Sequence, residues 1–177
     1  MSESRQHSGL AGRTVDGMTQ LTTFSSPLGD LMLAGDETAD GFALTSLSMP
    51  GRATPVPRRN VAPFAEVIRQ LEAYFGGDLT RFDLPFTPGG TDFQQRVWRA
   101  LEDIPYGATT TYGALTAQLG LPRERVQAVG AAIGANPLLL VRPCHRVIGA
   151  DGSMRGYAAG VERKVRLLSH EGALLAV

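Results

Sequence analysis

The chain contains a single cysteine, Cys144, and its neighbours are residue types that change the chemistry of a thiol. Cys144 lies between Pro143 and His145, with Arg142 and Arg146 one residue further out on either side. Positive charge and a nearby imidazole lower the pKa of a thiol from about 8.5 and increase the thiolate fraction. A lone buried cysteine can instead be an inert small hydrophobe. The two arginines and the histidine favour a nucleophile.

His145 and Glu171 supply the groups that a cysteine nucleophile needs next. His145 can accept the thiol proton, directly or through a water molecule. Glu171 follows a predicted helix over Val161–His170 and precedes Gly172, a residue type that ends helices. A carboxylate there opposes the helix dipole by roughly a few tenths of a kcal/mol. We therefore expect Glu171 to have a cationic or N–H partner and to orient His145; a solvent-facing glutamate is the alternative.

The N-terminal half of the chain is predicted to form a small α/β domain over residues 18–88. The preceding residues 1–17 are polar and aperiodic, and we expect them to be disordered. Apolar segments at 21–24, 31–34 and 42–47, with a Pro/Gly turn after the first, predict an antiparallel sheet. A proline-rich loop follows at 50–57. Apolar residues then recur at helical spacing from Phe64 to Phe75 and stop at Gly76 and Gly77.

The C-terminal half, residues 91–177, is predicted to form a mainly helical domain. Thr91 is a candidate cap for a helix that ends near Ile104. A short helix from 111 to 119 stops at Gly120, and another begins near Pro122. Helix, glycine turn and helix is the outline of a helix-turn-helix, although many all-α cores contain it too. The fold class is therefore α/β in the α+β sense, with a small antiparallel-sheet domain followed by a helical domain.

The second of these short helices carries an unusual set of small residues. Val126, Val129 and Ile133 form its predicted buried stripe, whereas Gly130 and Gly134 interrupt the helix. Each mid-helix glycine costs about 1 kcal/mol relative to alanine. Two of them indicate a close approach, either by another helix or by a nucleic-acid groove. A helix with so few long polar side chains suits the minor groove, which is recognised largely by shape.

Composition excludes several classes of protein. The net charge is zero, but residues 1–90 carry 7 basic against 10 acidic residues, and residues 91–177 carry 10 against 7. This asymmetry is compatible with a polyanionic partner but is weak evidence for one.

No apolar run approaches the roughly 18 residues of a membrane span. One cysteine and the absence of an export signal indicate a reducing cytoplasm. One cysteine and three histidines exclude a zinc cluster, and no other metal or cofactor is implied.

The run Pro143-Cys144-His145-Arg146-Val147 resembles the active-site signature of the O6-alkylguanine-DNA alkyltransferases. Other parts of that family's pattern occur at the expected distances: Gly134-Ala135-Asn136-Pro137 before the cysteine, and Gly156-Tyr157, Lys164 and His170-Glu171-Gly172 after it. The resemblance is strong over residues 91–172 and extends in outline over residues 20–90. A spaced set of this kind is far more specific than the five-residue run alone.

The resemblance implies direct-reversal DNA repair. The alkyl group of O6-alkylguanine, and in an extended substrate range of O4-alkylthymine, would pass irreversibly to Cys144, once per molecule. Displacement at carbon needs a soft nucleophile, and a thiolate is the best that amino acids offer. The implied partner is double-stranded DNA containing O6-alkylguanine. The protein would act as a monomer that can bind DNA cooperatively, without a cofactor.

The resemblance also assigns roles around the cysteine. Tyr112 would hydrogen-bond the leaving base, and Lys164, the only lysine, would partner the tyrosine or the base unless it is a surface lysine. Asn136 would brace the turn before the cysteine, a role compatible with a plain helix C-cap. The base pocket would be lined by three residues: Val147, Tyr157 and Ala158. Ala158 departs from the small polar residue of many relatives, although its backbone N–H remains available.

The DNA-binding helix departs from the family pattern at one position. Family members flip the target nucleotide from the minor groove and fill the gap with an arginine. Counting back from Ala128 and Gly130, Gln127 occupies that position, and the preceding loop is one residue longer. Arg123 and Arg125 lie before it, but residues two apart on a helix point about 200° away from each other. We therefore expect Gln127 to fill the gap, with weaker binding to undamaged duplex; an inward-swinging Arg125 is the alternative.

Three rival functions fit parts of the sequence. A non-enzymatic binder of damaged DNA would lack the cysteine. A thiol hydrolase or peptidase using Cys144, His145 and Glu171 would ordinarily take its histidine from a distant segment. A transcription regulator using only the helix-turn-helix leaves the surroundings of the cysteine unexplained. Alkyl transfer accounts for all of these features together.

Overall fold

The computed structural model describes residues 19–50, 61–87 and 89–174. The expected disorder at 1–17 and most of the predicted loop at 50–57 lie outside these residues. Strands β1 (Gln20–Ser26), β2 (Gly29–Thr38) and β3 (Gly41–Ser48) form an antiparallel sheet in that order. Ser26 pairs with Gly29, so Pro27 and Leu28 form a two-residue turn. The predicted sheet and the α+β fold class are confirmed.

The outer edge of β3 contacts two distant segments of the chain. Leu44 forms a parallel bridge with Phe86, and Leu47 forms one with Leu138. The Leu47 backbone N–H donates to the carbonyl of Pro137 at 2.9 Å and its carbonyl accepts from the N–H of Leu139 at 3.1 Å. The segment that leads to Cys144 is therefore fixed by the N-terminal sheet.

The apolar face of helix α1 (Ala65–Phe75) belongs to the same hydrophobic core as the sheet. Val67 and Leu71 are buried on that face, as the helical spacing predicts. Tyr74, which that spacing did not single out, is buried as well, whereas Phe75 is only half-buried. The helix ends at Gly76 and Gly77, and Gly77 adopts a φ of +83°, which favours glycine. Tyr74 is consequently held in the interior, one residue before the end of the helix.

Helix α2 (Asp92–Glu102) begins at the predicted cap. The Thr91 side chain accepts from the Gln94 backbone N–H, while the Gln94 side chain accepts from the Thr91 N–H, which is a complete capping box. On the buried face, the Trp98 indole N–H donates to the carbonyl of Ala132 at 2.7 Å. This bond fastens α2 to helix α4 (Val126–Gly134).

The connection between α3 (Tyr112–Gln118) and α4 differs from the prediction. Pro122 does not start an α-helix: its ψ of 156° is extended, and it caps a 3-10 turn over Arg123–Arg125. Helix α4 therefore begins only at Val126. Val126 is half-buried, so the predicted stripe is only partly right: the buried residues of α4 are Val129, Ala132 and Ile133.

Two short strands and a final helix complete the fold around the cysteine. Strands β4 (Thr110–Thr111) and β5 (Val147–Ile148) pair in parallel, with Thr110 opposite Val147. Since α3 follows β4 directly, this pairing places Tyr112 close to the chain after Cys144. Helix α5 (Val161–His170) has the predicted bounds. Among the residues described, no helix has the length and apolar character that crossing a membrane requires.

Candidate active site

Cys144 lies at the start of a tight turn in the interior. Pro143 has φ −78° and ψ 63°, so the Cys144 N–H donates to the carbonyl of Arg142 at 2.8 Å in an inverse γ-turn. A 3-10 turn, Cys144–Arg146, follows and leads into β5. The cysteine is 5% exposed. Consecutive turns and the proline ring fix the direction of its side chain.

The thiol is buried, and its surroundings only partly favour ionisation. Burial raises the pKa of Cys144, because a charged sulfur would lose hydration. A hydrogen bond from the Asn136 side chain and the charge of Lys164 oppose this rise without cancelling it. The resting sulfur is therefore a thiol, and a reaction at this atom requires a base to remove its proton.

The flanking arginines do not activate the cysteine, and the expectation that they would is wrong. Arg142 is sandwiched between Phe86 and Trp98, with its guanidinium carbon 4.7 and 4.9 Å from the ring centroids. Its Nε also lies 3.4 Å from the carboxylate of Glu102. Arg146 turns away from the sulfur towards Glu171. The two charges therefore serve the core and the carboxylate.

His145 is the base that the geometry supplies. Its Nε2 lies 2.7 Å from Oε1 of Glu171, and both side chains are fully buried. Because an ionised carboxylate only accepts hydrogen bonds, Nε2 must carry the proton. Burial lowers the pKa of His145 despite the opposing effect of Glu171, so the ring is neutral. Its Nδ1 has no hydrogen-bond partner within the described residues and keeps a free lone pair.

Glu171 is ionised and heavily hydrogen-bonded, and is not a solvent-facing glutamate. Burial alone would raise its pKa, but hydrogen bonds and charge from His145 and Arg146 outweigh burial and lower the pKa to about 2. Arg146 binds the carboxylate with two nitrogens, Nε to Oε2 at 2.8 Å and Nη2 to Oε1 at 2.9 Å. Arg146 is thus the cationic partner that was predicted for Glu171.

Sequence reasoning missed two contributors to this cluster. Arg146 was expected to act on the thiol, because it lies on the same turn as Cys144, and its bond to Glu171 was not foreseen. Tyr74, on α1, donates its hydroxyl proton to Oε1 of Glu171 at 2.8 Å. The only sequence signal for Tyr74 was its place on the apolar face of a helix, which is also the place of a plain core residue.

Asn136 bridges the loop between α4 and the cysteine turn. Its Nδ2 donates to the carbonyls of Arg142 at 2.9 Å and Leu138 at 3.4 Å, and its Oδ1 accepts from the Leu138 N–H at 3.1 Å. The same loop contains Leu140, which has a φ of +69°, an unusual conformation for a bulky residue. The amide of Asn136 therefore ties this strained loop to Arg142, two residues before Cys144.

Tyr112 and Lys164 meet at one backbone carbonyl. The Tyr112 hydroxyl donates to the carbonyl of Arg155 at 3.1 Å, and Lys164 Nζ donates to the same oxygen at 2.8 Å. The ammonium also lies 5.7 Å from the centre of the Tyr112 ring. Burial lowers the pKa of Lys164 to about 8, and the nearby Cys144 partly opposes this. Lys164 is therefore an interior residue and not a surface lysine.

The three residues assigned to the base pocket differ in exposure. Val147 is fully buried and pairs with Thr110. Tyr157 is 8% exposed, and its ring centre lies 6.5 Å from that of His145. Its hydroxyl has no hydrogen-bond partner in the part of the chain that the structure describes. Ala158 is exposed and borders a cleft that also reaches Asn136. An unpaired buried hydroxyl is a group available to a ligand.

The residues considered for filling a base stack lie at the start of α4. Arg123, Arg125 and Gln127 are all exposed. Arg125 places its guanidinium carbon 5.2 Å from the ring centre of Phe93, so it has a partner within the chain. Gln127, the second residue of the helix, has no such contact in the described structure.

The small residues of α4 are not explained by packing inside the molecule. Ala128 and Gly130 are half-buried, and a Cβ placed on Gly130 would lie 3.8 Å from Tyr112, an ordinary contact. A Cβ on Gly134 would meet nothing within 4 Å. Close helix–helix packing is therefore not the reason for these two glycines.

Nothing in the described residues is built to hold a metal ion: no group of three or more His, Cys, Asp and Glu side chains comes together there. The site contains a single buried thiol, a neutral histidine of fixed tautomer and an ionised glutamate, and Tyr112 of α3 and Lys164 of α5 meet at the carbonyl of Arg155.

Comparison with known proteins gives a consistent result over nearly the whole chain. Residues 20–88 match the ribonuclease-like domain of 6-O-methylguanine DNA methyltransferase, and residues 92–173 match its DNA-binding domain. The methylated-DNA–protein-cysteine methyltransferase of Methanosarcina acetivorans is 45% identical over 153 residues, covering 85% of this chain and 96% of the relative.

Solved structures agree in fold. The crystal structure of Mycobacterium tuberculosis O6-methylguanine methyltransferase aligns with a TM-score of 0.76 at 45% identity, covering 88% of this chain and 94% of that one. Mycobacterium tuberculosis OGT in complex with DNA aligns with a TM-score of 0.74 at 45% identity, covering 86% and 92%. Sequence, architecture and cysteine site thus agree, and the chain belongs to the 6-O-methylguanine DNA methyltransferase family.

Proposed function

We propose that this protein repairs alkylated DNA by transferring the alkyl group of O6-alkylguanine, and by extension of O4-alkylthymine, to Cys144. The observation that carries the proposal is the fixed tautomer of His145: ionised Glu171 holds the Nε2 proton and leaves Nδ1 free on the residue next to the buried Cys144. The thiol must be deprotonated to react, and this arrangement supplies a base for that step. Relatives of this chain carry the name methylated-DNA–protein-cysteine methyltransferase.

The reaction balances with the groups of this site. His145 Nδ1 takes the proton of Cys144, directly or through one water, and the sulfur attacks the alkyl carbon. A C–S bond forms as the C–O6 bond breaks, and the electron pair passes to the guanine ring. The proton held by His145 then returns, through solvent, to the departing guanine. No oxidant, reductant or cofactor takes part.

Tyr112 and Lys164 assist the departing base. The Tyr112 hydroxyl can exchange its carbonyl partner for the base, where a hydrogen bond stabilises the developing negative charge. Lys164 adds positive charge next to the Tyr112 ring. Tyr157, with its unpaired buried hydroxyl, and Val147 line the pocket that receives the base.

DNA binds through α3 and α4 as a helix-turn-helix, in the minor groove. The exposed small residues of α4 allow the helix backbone to approach the duplex closely. The target base leaves the stack, because its O6 cannot reach Cys144 from inside the duplex. Gln127, exposed and without a partner in the described structure, fills the gap, whereas Arg125 stays over Phe93.

The two parts of the chain divide this work. We assign DNA binding and transfer to residues 91–177, while residues 18–88 support the cysteine loop through the contact between Leu47 and Leu138. The protein acts as a monomer on the duplex. One molecule acts once, because a thioether is a poor leaving group and the chain has no second thiol to accept the alkyl group.

Mass spectrometry tests the proposal directly. The intact protein is incubated with a duplex containing one O6-methylguanine, and we expect a gain of one CH2 unit, mapped to the peptide containing Cys144. Cys144→Ser and an unmethylated duplex are the controls. A duplex demethylated without an adduct, or more demethylated duplex than protein, would contradict the single-use reaction.

A further inference from the structure

Tyr74 joins the N-terminal part of the chain to the carboxylate that orients the base. It is 1% exposed, lies on α1, and donates its hydroxyl proton to Glu171 at 2.8 Å across 97 residues of sequence. Its backbone is fixed as well, since His170 Nε2 donates to the Tyr74 carbonyl at 2.8 Å. Phe82 and Tyr106 pack against its ring, with centroids 5.3 and 6.2 Å away. These contacts fix the position of the Tyr74 ring, so that its hydroxyl points towards Glu171.

The contact falls on the oxygen that also holds the histidine. Oε1 of Glu171 accepts from three donors: the Tyr74 hydroxyl, His145 Nε2 and Arg146 Nη2. An oxygen that shares its charge among three donors attracts each of them less strongly. The Tyr74 bond therefore weakens the pull of Glu171 on the Nε2 proton and favours the neutral ring that can act as a base.

Several other groups act on the same pair from the surrounding elements. Arg146, from the cysteine turn, and Lys164, from α5, both disfavour a second proton on His145. The ring of Tyr106, after α2, lies over the guanidinium of Arg146 at 5.7 Å. The neutral ring of Tyr157 also lies near His145, with the two ring centres 6.5 Å apart. Besides the neutral His145 ring itself, the Tyr74 hydroxyl is the one uncharged side-chain group of the described residues that hydrogen-bonds the carboxylate.

We propose that Tyr74 is a positioning residue for alkyl transfer: through Glu171 it sets the orientation and basicity of His145, so that the N-terminal part of the chain takes part in the chemistry. This inference rests on the proposed function, since it concerns the base of that reaction. It gives the N-terminal region a second role beyond supporting the loop that precedes Cys144.

Tyr74→Phe tests this role, with Tyr106→Phe as the matched control. Both changes remove one hydroxyl from the same aromatic cluster, but only Tyr74 bonds Glu171. Single-turnover methyl transfer from a duplex containing O6-methylguanine is measured across pH. We expect the acid limb of the Tyr74→Phe profile to move up by about half a pH unit, because Glu171 then holds the imidazolium more strongly. The Tyr106→Phe profile should coincide with that of the unmodified protein.

A second probe separates this inference from the proposed function. Iodoacetamide labels the only cysteine, so intact mass reports thiol reactivity against pH without any DNA. The upward shift of the acid limb should recur with this probe, and NMR titration of the His145 ring nitrogens should show it directly. An unchanged midpoint in Tyr74→Phe, even with a uniformly lower rate, would reduce Tyr74 to a packing residue. Absence of a methyl adduct on the unmodified protein would instead reject the proposed function.

Discussion

Replacing Glu171 with glutamine should separate the shape of the catalytic cluster from its charge. The side chain keeps its length, but its amide N–H2 can now donate to His145 Nε2. That contact favours the tautomer with the proton on Nδ1. Nδ1, the nitrogen proposed as the base, then carries a proton and cannot accept one from Cys144, so the base is lost while the fold is kept.

The expected losses of transfer rate and of folding stability follow from two features of the site. General base catalysis contributes about 10² to 10⁴ in rate, and we expect a loss in this range for Glu171→Gln. Glu171 also stabilises the fold, because its pKa falls from 4.5 to about 2 on folding. At about 1.4 kcal/mol per unit, this difference corresponds to roughly 3 kcal/mol at neutral pH. The interactions with Arg146, which would lose their carboxylate, are part of this cost.

The assay pairs single-turnover transfer with urea unfolding. The rate of methyl transfer from duplex DNA is measured at a temperature where both proteins are folded, as judged by their unfolding curves. Glu162→Gln is the matched control, since Glu162 lies exposed on α5. A Glu171→Gln protein that is folded and transfers methyl within roughly threefold of the unmodified rate would refute the tautomer argument.

Three further results are expected. Gln127→Ala should lower both duplex affinity and repair rate, whereas Arg125→Ala should change them little, because Arg125 already contacts Phe93; the opposite order in a gel-shift titration would reverse the assignment. Tyr112→Phe should slow transfer by about a hundredfold by removing one donor to the leaving base, as single-turnover rates would report. The contribution of Glu171 to stability should be complete above pH 4.5 and disappear as the pH falls towards about 2. Urea unfolding across that range should show this loss in the unmodified protein and not in Glu171→Gln.

The elements of the fold could be predicted because their signals are local. Alternating apolar residues, helical spacing and a Pro/Gly turn each involve only near neighbours, and they located the sheet, α1 and α5. The start of α4 was misplaced because proline fits both the first turn of a helix and the extended residue before one. Only the ψ of Pro122 distinguishes these cases, and sequence does not specify it.

The candidate site was predictable where residue type dictates chemistry and not where tertiary contacts do. A cysteine, a histidine and a glutamate in this pattern indicate a nucleophile and its base. The direction of a long side chain is set by its partners, however, so Arg146 next to the cysteine serves Glu171 instead. Tyr74 lies in another region of the chain, and nothing in the sequence around it predicts a polar role.

The bridge between Leu47 and Leu138 joins residues that are far apart in sequence. Closing so long a loop costs conformational entropy before any contact repays it, and contacts of this kind slow folding. The loop of Asn136 cannot take its final shape until β3 exists to receive it. We expect the local helices to form early and the enclosure of Cys144 to belong to the late steps of folding. A partly folded chain would therefore expose its thiol before it had a base to control it.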